Sequence, residues 1–212
     1  MALVKLVRIS DSSFWAAWKI EETAADLVAC TQLPATDFAE WHVIRHPRKS
    51  LEWLASRAAL AAILNNIGLP VPGIHKDDKG KPYLNNEAYH ISLANSYPYG
   101  VATVHSHALV GIDIEPPSDK LLRTQHKFLS LPEIEAAGNR LPYLCAYWCV
   151  KEALYKLYGR KLLSFKDQIR VCSLRFEDRI YAEAEIVNSS HDAQYRLEGT
   201  IIDGFYVMYV VL

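Results

Sequence analysis

Asp113 and Glu115 stand two residues apart in the run from Val110 to Glu115, whose other members are apolar or glycine. Alternation along a strand puts both acids on one face and Ile112 and Ile114 on the other. The two acid-bearing Cα atoms are then about 7 Å apart. Like charges on one face repel unless a cation lies between them. An all-oxygen ligand set favours Mg²⁺ or Mn²⁺ over zinc. The same pattern also describes solvated acids on a half-buried strand, and spacing alone does not separate the two readings.

A second set of chemical groups lies in the run from Pro142 to Gly159. Pro142 suits a first helical turn and Gly159 the residue after the last one, so both ends of a helix are marked. Trp148, Glu152 and Lys156 follow one another at i, i+4 and i+8, along one stripe, while Leu144, Cys145, Cys149, Ala153 and Leu157 can face a core. An ordinary i, i+4 salt bridge between Glu152 and Lys156 explains that pair on spacing alone. Upstream, Ser130 and Glu133 have the spacing of a capping box.

The elements that must carry these residues are readable from periodicity and turn residues. Residues 2–9 read as a strand, 12–32 as helical from the spacing of Trp15, Trp18, Glu22 and Ala25, and 48–67 as a longer helix stopped by Gly68 and Pro70. Residues 70–88 are rich in Pro, Gly, Asp and Asn and read as loop. Strands are expected over 89–94, 100–105 and 108–115. Helices follow over 119–127, 131–138 and 142–158, then strands over 168–176, 179–187, 194–202 and 204–212. This order is α+β, with two halves of comparable make-up meeting near Val110.

Bulk properties narrow the function classes. Half of the 212 residues are hydrophobic and 22% are charged, so a sizeable core is expected. A net charge of −1 lacks the basic footprint of a nucleic-acid binder. Cys30, Cys145, Cys149 and Cys172 form no CxxC pair, which argues against a zinc site. No apolar run approaches the roughly 20 residues that span a bilayer, and the first ten residues are too short for a signal segment. A reduced, cytoplasmic protein without a membrane segment is the expectation.

Taken together, the segments resemble the 4′-phosphopantetheinyl transferase superfamily. The family's G-[IV]-D-[IVL]-E strand stands here as Gly111 to Glu115. Its F-S-x-x-E stretch stands as Phe128, Ser130 and Glu133, and its W-x-x-K-E-x-x-x-K helix as Trp148, Lys151, Glu152 and Lys156. Gly80-Lys81-Pro82 and Ile91-Ser92-Leu93 also sit where the family has a loop and a strand. The length resembles the surfactin-synthetase-associated type. That type implies two similar α/β halves, here residues 1–110 and 111–212, forming a pseudodimer that works as a monomer, with the coenzyme A cleft between the halves.

The resemblance implies a Mg²⁺-dependent transfer of 4′-phosphopantetheine from coenzyme A to a serine of an acyl or peptidyl carrier protein, with release of 3′,5′-ADP. Asp113, Glu115 and Glu152 would ligate the metal, with Glu152, Lys156 and Asp113 as the catalytic set. Lys81, Asn95, Arg57, Lys151 and Lys156 would contact the coenzyme, with Arg48 and Lys49 as further basic candidates. One departure stands out. The family's serine-histidine pair after the I-S-x strand is Ala94-Asn95 here, and a neutral amide cannot supply the charge-assisted bond of an imidazolium. The same fold could therefore serve a coenzyme A or carrier-binding module without efficient transfer.

Overall fold

The computed structural model describes residues 2–159, 163–187 and 193–212. It is mixed α+β and divides into two compact units, Met1–Val110 and Gly111–Leu212. Among the described residues no helix is long and apolar enough to cross a membrane.

The first unit opens with the antiparallel pair β1 (Leu3–Ser10) and β2 (Ser13–Lys19), followed by helices α1 (Ala24–Thr31), α2 (Ala35–His42) and α3 (Pro47–Asn66). The short pair β3 (Ile74–Lys76) and β4 (Pro82–Leu84) precedes β5 (His90–Ser96) and β6 (Tyr99–His105). The main sheet runs β1-β2-β6-β5, antiparallel throughout. Helix α3 lies across β2 and β6, burying Leu54, Ala58 and Ile63 with Phe14, Ala102 and Val104. A side chain at Gly100 would meet the α3 backbone at Ser56 N, 2.2 Å away, so this helix rests directly on the strand.

Two sequence expectations fail in this unit. Residues 12–32 are a strand and then a helix, because β2 is buried along nearly its whole length. Burial on both faces erases the two-residue alternation of a half-exposed strand, and tryptophans three apart then imitate a helix. Residues 70–88 contain the β3–β4 pair, whose three-residue strands are too short to show a period. Helix α2 carried no signal strong enough to be read, being eight residues long with no side-chain cap at Pro34.

The second unit contains β7 (Val110–Glu115), whose first residue belongs to the unit before it, and then α4 (Asp119–Phe128), α5 (Leu131–Ala137) and α6 (Leu141–Tyr158). Four strands follow: β8 (Ile169–Phe176), β9 (Ile180–Ile186), β10 (Ala193–Ile202) and β11 (Phe205–Val211). The sheet order is β7-β11-β10-β9-β8, with the β8–β9, β9–β10 and β10–β11 pairs antiparallel. The expected ends of α6 are correct: Pro142 lies in its first turn, and Gly159 caps it in the left-handed conformation at φ +65°. Leu144, Cys145, Cys149, Ala153 and Leu157 are its buried face, and all four cysteines are free.

Candidate active site

The acids of β7 are held by the packing of α6. A side chain at Gly111 would lie 2.0 Å from the carbonyl oxygen of Ala153 and 3.0 Å from the backbone nitrogen of Leu157. The strand and the helix backbones therefore touch at this glycine. That contact lies within one or two residues of Asp113 on the strand and of Glu152 on the helix. Ile112 and Ile114 are fully buried, so β7 cannot slide or turn over without exposing both.

Asp113 is 5% exposed. Its Oδ1 accepts a hydrogen bond from Lys156 Nζ at 2.7 Å, and the same ammonium donates to Ile112 O at 3.1 Å. The i, i+4 pair expected between Lys156 and Glu152 is therefore replaced by a bond across to the strand. A buried carboxylate without a cation costs more than a half-buried one, so the lysine goes to Asp113. The other carboxylate oxygen, Asp113 Oδ2, is buried without a hydrogen-bond partner.

Glu152 is half-buried on the same stripe of α6. Burial pushes its carboxyl up to about 7; the Asp113 charge adds to the rise, Lys156 opposes it, and Glu115 adds a smaller part. Asp113, Glu115, Glu152 and Lys156 thus form one electrostatic group. A pocket of ≈ 240 Å³ opens beside Glu115 between Leu121 and Trp148. Trp148 is packed edge-on against Phe128 at 5.0 Å, which explains a tryptophan at the head of an acid–base stripe.

Among the described residues, no three or more His, Cys, Asp or Glu side chains stand close enough to hold a metal ion as arranged. Asp113 and Glu152 face the ammonium of Lys156 instead. Two observations nevertheless suit a hard divalent cation. An oxygen of Asp113 is left open in a buried position, and burial, with the neighbouring acids adding to it, lifts Glu152 into the neutral range. An oxygen-only set of acidic side chains is chemistry that Mg²⁺ accepts.

This crowding carries a pH signature in the metal-free protein. Glu152 binds its proton near pH 7 when folded and near 4.5 when unfolded. The folded state thus holds the extra proton between those values, and stability is lost as pH rises through 7. Thermal melts in chelator should show stability falling from pH 5 to pH 8, by on the order of 1–2 kcal/mol for a partly exposed group. Glu152→Gln should flatten that slope; an equal slope in the variant would assign it to other groups.

Lys151 and Glu133 are not part of this group. Lys151 is fully buried, and its ammonium donates to Glu133 Oε2 at 2.8 Å, Phe165 O at 2.8 Å and Ile169 O at 2.7 Å. Glu133 also reaches back to Ser130, accepting from its N–H at 2.7 Å and its hydroxyl at 2.9 Å. The capping spacing is thus real, but it did not reveal that the same carboxylate binds a buried lysine on another helix.

The remaining site candidates lie in the first unit. Arg57 is buried with its guanidinium 3.3 Å from the Trp53 ring centroid, and it donates to Trp53 O and Ser56 Oγ. Burial brings it down to about 10, against the opposing pull of Glu40 and Asp37. Lys81 follows a tight turn in which Asp77 Oδ1 accepts from the N–H groups of Lys79 and Lys81 at 2.9 and 2.8 Å. Burial holds the Lys81 ammonium below its ordinary range, with Asp77 opposing. Asn95 is exposed on β5, opposite Gly100 of β6. Arg48 and Lys49 both pair with the buried Glu52.

The β7 acids, the Glu133 cap and the α6 stripe occur in one stretch of chain. Residues 109–208 match the family model described as the 4′-phosphopantetheinyl transferase superfamily. The chain carries a domain of this superfamily. No curated protein matches the chain significantly. The superfamily domain covers Asp113, Glu115, Glu133, Lys151, Glu152 and Lys156, whereas Arg57, Lys81 and Asn95 lie before it. The domain's family is one of phosphopantetheinyl transferases that use coenzyme A as donor and carrier-protein domains as acceptors.

Proposed function

We propose that this protein transfers 4′-phosphopantetheine from coenzyme A to a serine of an apo carrier protein, with Mg²⁺ as cofactor and 3′,5′-ADP as the second product. The observation that carries the reading is Asp113: buried, bonded to Lys156 through one oxygen and open at the other, within the superfamily domain. Residues 1–110 and 111–212 would be the two halves of the surfactin-synthetase-associated type, acting as a cytoplasmic monomer. The two-unit division and the sheet crossed by a long helix in each unit support that view.

In this reading Asp113, Glu115 and Glu152 hold the metal, which when bound supplies charge neutralisation for a diphosphate. Glu152 takes the proton of the carrier serine as its oxygen bonds to the β-phosphorus of coenzyme A. A bound cation would keep this carboxylate ionised, which suits a base at neutral pH. The bridging P–O bond breaks, and the electron pair leaves with 3′,5′-ADP. Lys156, 28% exposed at the Asp113 pair, balances the charge that grows on the leaving 5′-phosphate of 3′,5′-ADP. Arg57, Lys81 and Asn95 are the coenzyme contacts we assign in the first unit. We leave Lys151 out, because three bonds within its own unit occupy its ammonium.

Incubation with Mg²⁺, coenzyme A and an apo carrier protein should add about 340 Da to the carrier, the size of the transferred group. Unmodified carriers across several pathways, beside an active control transferase, would refute the enzyme. One observation favours a second reading: exposed Asn95 stands where the family has a cationic partner for the 3′-phosphate. Coenzyme A binding by calorimetry without any mass shift would establish a binding module instead.

A further inference from the structure

Lys151 and Glu152 are consecutive on α6, and 3.6 residues per turn place their side chains about 100° apart. Glu152 belongs to the acidic group with Asp113 and Glu115. Lys151 points into a closed site made from three other pieces of the second unit. An ammonium has three N–H donors, and all three are used, on Glu133 Oε2, Phe165 O and Ile169 O. The partner carboxylate is equally full. Glu133 Oε2 also accepts from Ser130, and Oε1 accepts from Val171 N at 2.9 Å.

The bonds to Ile169 O and Val171 N fall on the side of β8 that faces no other strand, since β8 is the sheet's edge. The ion pair therefore ties the first turn of α5 and the edge of β8 to the middle of α6. It also holds the 163–168 segment, where the Phe165 ring packs on Trp148 and Tyr155 at 5.6 and 5.3 Å. These two residues flank Lys151 on the helix. Rotation of α6 about its axis would break all three ammonium bonds and this ring packing together.

We propose that the Glu133–Lys151 pair is the anchor that sets the rotation of α6, so that Glu152 faces the acids of β7. Both are positioning residues, and Lys151 does not bind phosphate. The proposal rests on the reading of Asp113, Glu115 and Glu152 as the metal end of a transferase. It departs from the coenzyme contact that the family resemblance implies for Lys151.

Three measurements test it. The first is amine acetylation of the wild-type protein, followed by mass spectrometry. Lys151 should be among the slowest lysines to react, equally with and without coenzyme A; rapid labelling that coenzyme A suppresses would overturn the anchor. The second compares Lys151→Met with Lys151→Met/Glu133→Gln. The single change leaves a buried carboxylate unpaired, so the double variant should melt at the higher temperature; a double variant no more stable than the single would refute the pair.

The third is calorimetry on the double variant. Mg²⁺ affinity should fall several-fold while coenzyme A affinity stays within about twofold. Loss of a phosphate contact would instead weaken coenzyme A by about tenfold or more, and unchanged Mg²⁺ affinity would reduce the pair to simple packing. If neither variant folds, the labelling decides. Failure of the wild-type protein to bind coenzyme A would count against the transferase reading, while the labelling in the absence of ligand still judges the anchor.

Discussion

Glu152→Gln should lower phosphopantetheine transfer by on the order of 10²–10⁴-fold, the range that positioned proton transfer contributes, and should leave the protein folded. The substitution keeps the shape and removes the charge. Glu152 is half-buried and belongs to a crowded acidic group, so its neutralisation relieves repulsion, and the melting temperature in chelator should hold or rise at pH 8. Initial rates of carrier modification and thermal melts on the same preparation check both halves of the expectation. A variant that is fully active would remove Glu152 from the mechanism. A variant that is inactive because it is unfolded would move the residue from chemistry to structure.

Gly111→Ala should damage both fold and activity through space alone. The new methyl group would sit 2.0 Å from Ala153 O, and its three nearest neighbours are helix backbone atoms that cannot swing aside. The strand and α6 must therefore separate, and overpacking of this kind costs about 1–3 kcal/mol or more. The shift falls where Asp113 and Lys156 approach to 2.7 Å, so transfer should drop further than the lost stability explains. Denaturant unfolding and carrier modification at a temperature where the variant remains folded separate the two effects. Stability within 0.5 kcal/mol of wild type, the range of an ordinary surface change, would show that β7 and α6 are free to part.

The glycine also explains why the family's strand motif begins as it does in this chain. Sequence spacing pointed to the alternation of Asp113 and Glu115, but nothing in it said that a helix backbone rests on Gly111. A similar contact occurs at Gly100 against α3 in the first unit. Neither glycine lies in an obvious turn, and neither could be distinguished from a strand irregularity before the helices were placed. In both cases the missing information was which element lies across the strand.

The lysines show the same limit. By spacing, Lys156 belonged with Glu152, and the family resemblance implied that Lys151 lies near the phosphates. In the structure Lys156 bonds to Asp113, and Lys151 to Glu133, Phe165 and Ile169. These partners lie 43 and 18 residues away along the chain for Asp113 and Glu133. Local periodicity reports which face a side chain occupies but not which distant group that face meets. Burial then decides the pairing, because an enclosed charge must find a partner whereas a half-exposed one can rely on water.

What the sequence determined by itself was local and periodic. It set the strand that carries Asp113 and Glu115, the ends of α6 at Pro142 and Gly159, the capping of α5 by Ser130 and Glu133, and the order of elements in the second unit. Each rests on residues within a few positions of one another, where turn chemistry and side-chain period act directly. The order and spacing of these motifs also led to the transferase superfamily. Only the tertiary structure decided that 12–32 holds a buried strand before its helix, that Gly111 is the seat of α6, and that the two lysines of one helix serve different partners. Those outcomes depend on what covers each surface, and covering is a property of the packed chain rather than of any window along it.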